Sequence, residues 1–259
     1  MVFAGVGDIV TVAPAASLSL QLRGPFAEAL SDSPRNLVLE AARLLAKAIG
    51  CVPNVTITLD KWLPVSAGLG GGSADAAATL RGLARLWNVE RSAERLLAAI
   101  ALALGADVPV CLYGAPAHVS GIGATIEPAL ALPSAWLVLV NPLRPLATAS
   151  VFRARISIAS SAAMPIADVP SDAISLAQAL AAPRRNDLRD AAIALEPAIR
   201  TVLDVLAPLP GCLLTRMSGS GATCFGLFAD GTAARAAARV LATNRPSWWS
   251  TAAPLLPPM

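Results

Sequence analysis

The run Pro64-Val65-Ser66-Ala67-Gly68-Leu69-Gly70-Gly71-Gly72-Ser73-Ala74-Asp75-Ala76-Ala77-Ala78 constrains this chain more than any other stretch. Ahead of it, Val55-Thr56-Ile57-Thr58-Leu59-Asp60 alternates apolar and polar residues, the period of a half-buried strand. Behind it, an Ala- and Leu-rich segment to Trp87 carries apolar residues at helical spacing. The unit is strand, glycine loop, helix. Four glycines in five positions leave a backbone that can take positive φ and approach a ligand with no Cβ in the way. Ser73 is placed to cap the helix, and the free N–H groups of a first turn, with the helix dipole, favour phosphate. A connection whose glycines served packing alone would need one or two of them rather than four.

Two phosphate loops can be tested against the run. A Walker A loop requires Lys-Ser/Thr after its last glycine, and here Ser73-Ala74 follows. The dinucleotide pattern G-x-G-x-x-G fits Gly68 and Gly70 but meets Ser73 at its third glycine. Glu90 could stand in for its ribose-binding acid, but it follows a helix instead of ending a second strand. Neither pattern fits.

The run resembles instead the phosphate-binding loop of the GHMP kinase superfamily (galactokinase, homoserine kinase, mevalonate kinase and relatives). In detail it is similar to the branch that acts on 4-diphosphocytidyl-2-C-methyl-D-erythritol in the non-mevalonate isoprenoid route. Two more segments match in family order. Gly105-Ala106-Asp107-Val108-Pro109 resembles the segment bearing the catalytic aspartate, and Met217-Ser218-Gly219-Ser220-Gly221-Ala222-Thr223 the glycine loop that closes over the first from a second domain. Read alone, Asp107 is equally an Asx-turn or a helix cap before Pro109. As a lone acid between apolar runs it is expected near buried surface. The second loop read alone is a tight turn between strands. A G-x-S-x-G elbow fails at both of its serines, because Arg216 and Ser218 stand where the first glycine should.

The resemblance implies an α+β fold of two domains. Residues 1–128 would form one like domain 2 of ribosomal protein S5, residues 129–259 a ferredoxin-like one, and ATP and substrate would meet between them. It implies ATP as donor, with Mg²⁺ offsetting phosphate charge, although no Mg²⁺ ligand can be read from the sequence. Residues Pro64 to Ala74 would cradle the phosphates, and Asp107 would take the proton from the acceptor's 2-hydroxyl. Asn36-Leu37 matches a pair near the adenine pocket, and equally reads as an N-cap followed by a core residue. Lys61 would contact nucleotide, or be a solvated strand-end lysine. Thr148 would lie beside the substrate, or cap a helix, with Gly219 and Ser220 facing the substrate from the second loop. Asp75 suits the helix dipole, a structural role. Two other readings stay open: a different superfamily kinase such as one for homoserine, or a nucleotide-binding fragment without turnover.

The family opens with an Ala-Lys-Ile-Asn strand, whose lysine stands beside the catalytic aspartate, and a Gly-Tyr-His segment. Here the match begins at about Val2 to Asp8, and no lysine precedes Lys47. The resemblance thus implies an N-terminally truncated copy and a poor enzyme, with no cation beside Asp107 and an unpaired sheet edge.

Composition removes other classes. The net charge of +3 is small and no basic block stands out, so nucleic-acid binding has no electrostatic footprint. One histidine, His118, excludes histidine metal clusters and is read as structural. The four cysteines form no C-x-x-C pair. The longest helical apolar run, Leu96 to Ala106, is too short for a bilayer, and no signal peptide is evident, so a soluble cytoplasmic protein is expected, monomeric or homodimeric.

Along the chain, Asp8 to Ala13 and Ser17 to Arg23 read as strands around a turn at Pro14-Ala15-Ala16. Leu37, Val38, Ala41, Leu44, Leu45 and Ala48 share a helical face ended by Gly50, and a further helix runs from about Arg91 to Leu104. Short strands around glycine turns are expected within 117–126 and a buried strand over 135–140. Residues 157–183 say little. Helices follow over 188–206, with Pro197 starting a new one, then strands at 212–216 and 224–228, a helix at 233–241 and a strand at 248–251.

Overall fold

The computed structural model describes residues 1–31, 36–89, 93–156, 166, 168–181 and 184–257. The alternating run becomes strand β3 (Val55–Asp60), whose Val55, Ile57 and Leu59 all point into the core. It lies between β1 (Ile9–Pro14), antiparallel to it, and β2 (Ser19–Arg23), parallel to it. The first two strands therefore do not form a hairpin around Pro14-Ala15-Ala16. The reason is burial: β3 carries three fully buried side chains and takes the centre, while β1 and β2 are only partly covered and become edges.

Helices α2 (Leu37–Ile49), α3 (Gly71–Leu86), α4 (Glu94–Leu104) and α5 (Val108–Tyr113) share one hydrophobic core with this sheet; a single turn, α1 (Glu28–Ser31), precedes them. Asn36 caps α2 by accepting from Val38 N at 3.0 Å, and Gly50 ends it in the left-handed conformation. The buried face is turned from the expected one: Ala42 and Ala46 face inward and Ala48 faces solvent. Helix α3 begins before Ser73, with left-handed Gly70 at the N-cap and Ser73 inside the first turn. Its Ala76 and Ala77, both fully buried, let it lie close against α2. Helix α4 ends at Gly105 as the sequence indicates, while its expected start at Arg91 falls outside the described residues.

A short hairpin, β4 (Ala117–Ser120) with β5 (Thr125–Pro128), leads to the second half. There β6 (Trp136–Asn141), β7 (Cys212–Met217), β8 (Cys224–Phe228) and β9 (Trp249–Pro254) form an antiparallel sheet in the order β7-β8-β6-β9. Helices α6 (Thr148–Ala154), α7 (Ala173–Ala181), α8 (Arg189–Leu195) and α9 (Ala198–Leu206) separate β6 from β7, and α10 (Gly231–Asn244) separates β8 from β9. The strand order and connections are those of a ferredoxin-like sheet. Strand β6 is a continuous apolar run because both faces are covered. Val138 and Val140 pack with α9 and α10, Leu137 and Leu139 with α7. The first residues join this half: Gly5 N donates to Pro254 O and Leu256 N to Phe3 O, both at 2.8 Å.

Candidate active site

Between the two sheets lies a cleft of about 580 Å³ whose walls include both glycine loops. The expected positions Pro64 through Ser73, Asn36, Leu37, Lys61, Asp107, Thr148, Gly219 and Ser220 all line it. Ala74 does not; it faces a neighbouring groove of about 550 Å³ that the first residues of the chain help to form. The first loop leaves β3 and enters α3, so the free N–H groups of that helix face the cleft.

The two loops interlock. Thr223 N donates to Ala67 O at 3.1 Å and Ser218 Oγ to Gly68 O at 2.8 Å. At Gly68, φ is +72°, and an added Cβ would meet Gly221 O and Ser218 O at 2.6 Å. Only a glycine fits there. The second loop is itself braced by two asparagines. Asn141, 3 % exposed, donates to Thr223 Oγ1 at 2.8 Å, and Asn186 donates to Gly219 O at 2.7 Å and Met217 O at 3.2 Å. Thr148 does not cap α6, whose N-cap is Ala147; its hydroxyl bonds Ser220 Oγ at 3.0 Å.

Lys61 is not a solvated lysine. It is 3 % exposed, and its ammonium lies 2.5 Å from Asp8 Oδ2 and 2.8 Å from Asp75 Oδ2. Asp8 also accepts from Trp62 N and Leu63 N through Oδ1, at 2.6 and 2.8 Å. The three side chains tie the N-terminal segment, the end of β3 and helix α3 together behind the glycine loop. Burial pushes the Asp75 carboxyl up to about 6, against the pull of the Lys61 charge. The dipole-only role expected for Asp75 is thereby replaced by an ion pair. Nothing in the sequence signalled Asp8, which stands 53 positions before its partner lysine.

Asp107 sits at the N-cap of α5 but makes no side-chain capping bond, and it is exposed rather than buried. Its carboxylate is open to the cleft. Being solvated, it needs no adjacent cation to offset a burial cost. Phe152, on α6 with Thr148, also lines the cleft, with 56 % of its surface exposed. The sequence did not mark it as a site residue; an aromatic four positions after Thr148 on one helix was the available signal.

Comparison with known proteins agrees with this geometry. Residues 36–115 match the model for the GHMP kinases N terminal domain, and residues 166–246 that for GHMP kinases C terminal. The 4-diphosphocytidyl-2-C-methyl-D-erythritol kinase of Paramagnetospirillum magneticum is 55 % identical over 99 % of this chain and 88 % of its own length. The chain belongs to the 4-diphosphocytidyl-2-C-methyl-D-erythritol kinase family. A second family member, from Rhodospirillum rubrum, is 50 % identical over 97 % of this chain and 82 % of its own length. A crystal structure of 4-(cytidine 5'-diphospho)-2C-methyl-D-erythritol kinase superposes with TM-score 0.73 at 35 % identity, covering 96 % of this chain and 85 % of that one. Homoserine kinase from Cytophaga hutchinsonii shares the fold, with TM-score 0.65 at 17 % identity, covering 97 % of this chain and 86 % of that one.

The α+β, two-domain GHMP kinase fold is as expected. The chain is an ATP-dependent small-molecule kinase of this family, and the reserve about its turnover drawn from the opening motif is set aside. Among the described residues, no helix is long and apolar enough to cross a membrane.

Proposed function

We propose that the chain transfers the γ-phosphoryl group of ATP to the 2-hydroxyl of 4-diphosphocytidyl-2-C-methyl-D-erythritol, a step in the non-mevalonate route to isopentenyl diphosphate. The observation that carries the reading is one cleft lined by both glycine loops and by an exposed carboxylate that no cap bond engages. The acceptor is the one named for its family relatives.

Phosphoryl transfer asks a protein mainly for positioning and charge stabilisation. The amides of Gly70 to Ser73 and the start of α3 hold the ATP phosphates, with Asn36 and Leu37 flanking the nucleotide. Asp107 accepts the acceptor's hydroxyl proton as that oxygen bonds to the γ-phosphorus, and ADP leaves with the bridging oxygen. Phe152 offers a flat apolar face on which the acceptor's cytosine stacks. Lys61 acts from behind the loop, because Asp8 and Asp75 already engage its ammonium. A Mg²⁺ ion bound mainly to phosphate and water needs only one or two protein oxygens, and the Ser73 hydroxyl lining the cleft fits that need. It would neutralise phosphate charge.

The test is an acceptor panel assayed for ATP-dependent phosphorylation: 4-diphosphocytidyl-2-C-methyl-D-erythritol, homoserine, mevalonate and galactose. Turnover should be confined to the first. Preferential phosphorylation of any other acceptor would reassign the substrate.

A further inference from the structure

Behind the second glycine loop lies another cavity, of about 500 Å³, that shares no lining residue with the cleft among the described residues. Four arginines, Arg184, Arg185, Arg189 and Arg216, stand among the twelve described residues that line it. With 20 basic residues in 259, about one would be expected there by chance, so the clustering asks for a reason. Two carboxylates are near: Asp187 pairs with Arg185 at 3.2 Å, and Asp204 lines the wall. Neither Arg189 nor Arg216 pairs with a carboxylate among the described residues.

Part of the cluster has a structural task. Arg184 Nε donates to Ala179 O at 3.0 Å, and Arg216 Nη2 donates to Leu180 O and, at 3.0 Å, to Ala181 O. Cations at the last carbonyls of α7 suit its dipole. That task leaves two facts over. Arg216 Nε is buried with no hydrogen-bond partner among the described residues, and Arg189 bonds no α7 carbonyl among them. A buried N–H without a partner is costly, and although that Nε lies out of solvent reach, the Arg216 guanidinium it belongs to lines the cavity and would gain from a negative charge held there. Burial and the Arg189 and Arg184 charges also hold the Arg216 guanidinium below its ordinary value, a penalty that an anion would relieve.

We propose that this cavity is a second anion site, taking a diphosphate group, separate from the ATP cleft and mechanically joined to it. Guanidinium forks match phosphate oxygens in bidentate geometry, and several of them around one cavity favour a multiply charged phosphate over a single carboxylate. The link to the cleft is Asn186, next in sequence to Arg185 and also in the cavity wall. Its side-chain amide holds the Met217 and Gly219 carbonyls, and the loop they belong to rests on Gly68. An anion that steadies Arg185 and Arg216 therefore steadies the loop that covers the nucleotide.

The test uses inorganic diphosphate and calorimetry on the full chain. The cleft is first saturated with a non-hydrolysable ATP analogue, whose own binding is measured separately, so that failure of the cleft reading is seen on its own. Diphosphate should then bind with a stoichiometry of one. Arg189→Glu, at an exposed position, should weaken it at least tenfold, and Asp204→Asn should strengthen it, while analogue binding remains in both. No diphosphate binding once the cleft is filled, or equal affinity in the wild type and both variants, would overturn the proposal.

Discussion

Replacing Gly68 by alanine should separate the two loops while leaving each intact. The left-handed backbone at φ +72° costs a non-glycine residue about 1–2 kcal/mol. The new Cβ would stand 2.6 Å from two carbonyl oxygens, Gly221 O and Ser218 O, both backbone and unable to swing away. Ordinary contact begins near 3.4 Å, so relief requires a separation of roughly 0.8 Å. The two hydrogen bonds across the interface, Thr223 N to Ala67 O and Ser218 Oγ to Gly68 O, do not survive such a shift. Each contributes about 0.5–1.5 kcal/mol. The expected loss is thus about 2–5 kcal/mol, large against the ~5–15 kcal/mol of a typical domain. Gly70→Ala is the internal control. Gly70 has φ +70°, but its Cβ would meet nothing within 4 Å, so it carries only the backbone cost of about 1–2 kcal/mol. Urea unfolding of both variants, compared through their midpoints at unchanged slope, gives the interlock as their difference. If Gly68→Ala costs no more than Gly70→Ala, the loops are not held together as argued.

The same Gly70→Ala variant should lose ATP affinity, because its methyl enters open space at the wall of the cleft; titration with the ATP analogue checks this, and unchanged affinity would move the phosphates elsewhere. Asp107→Asn should leave ATP binding near normal and lower kcat by about 10²–10⁴, the usual value of a general base; a variant retaining half its turnover would make the carboxylate structural. Phe152→Ala should raise KM for the diphosphocytidyl acceptor about 5- to 150-fold, the equivalent of ~1–3 kcal/mol of stacking, with KM for ATP unchanged. Asp75, raised from 3.8 to about 6, holds a proton in the folded chain that the unfolded chain has already released between those values. Folded chains then bind more protons than unfolded ones, so this group's contribution makes stability fall as pH rises through that window and leaves it level above. Asp75→Asn should remove that slope from urea midpoints measured across the window, and an unaltered slope would assign the proton elsewhere.

Local order was written in the sequence because it depends on neighbours. Alternation made 55–60 a strand, spacing made 37–49 a helix, Asn36 and Gly50 set that helix's ends, and Pro197 split α8 from α9. The glycine run announced a phosphate loop on its own, and three motifs in order announced the family. Tertiary structure decided what distant residues do to one another. Whether β1 pairs with β2 or with β3 depended on which strand could bury one face completely, and that cannot be read from the strands singly. The sequence left Lys61 open between nucleotide contact and a solvated strand end, and the structure gives neither, because two acids, one from each side of it in sequence, close over its ammonium. The apolar neighbours of Asp107 placed it near buried surface, and it does adjoin buried Val108, but only the turn before α5 sets its carboxylate in the cleft. Gly68 and Gly219, one in each loop and far apart in sequence, are required by each other's loop backbone. A pattern along the chain shows what a segment can become; only packing fixes which distant carbonyl leaves no room for a Cβ.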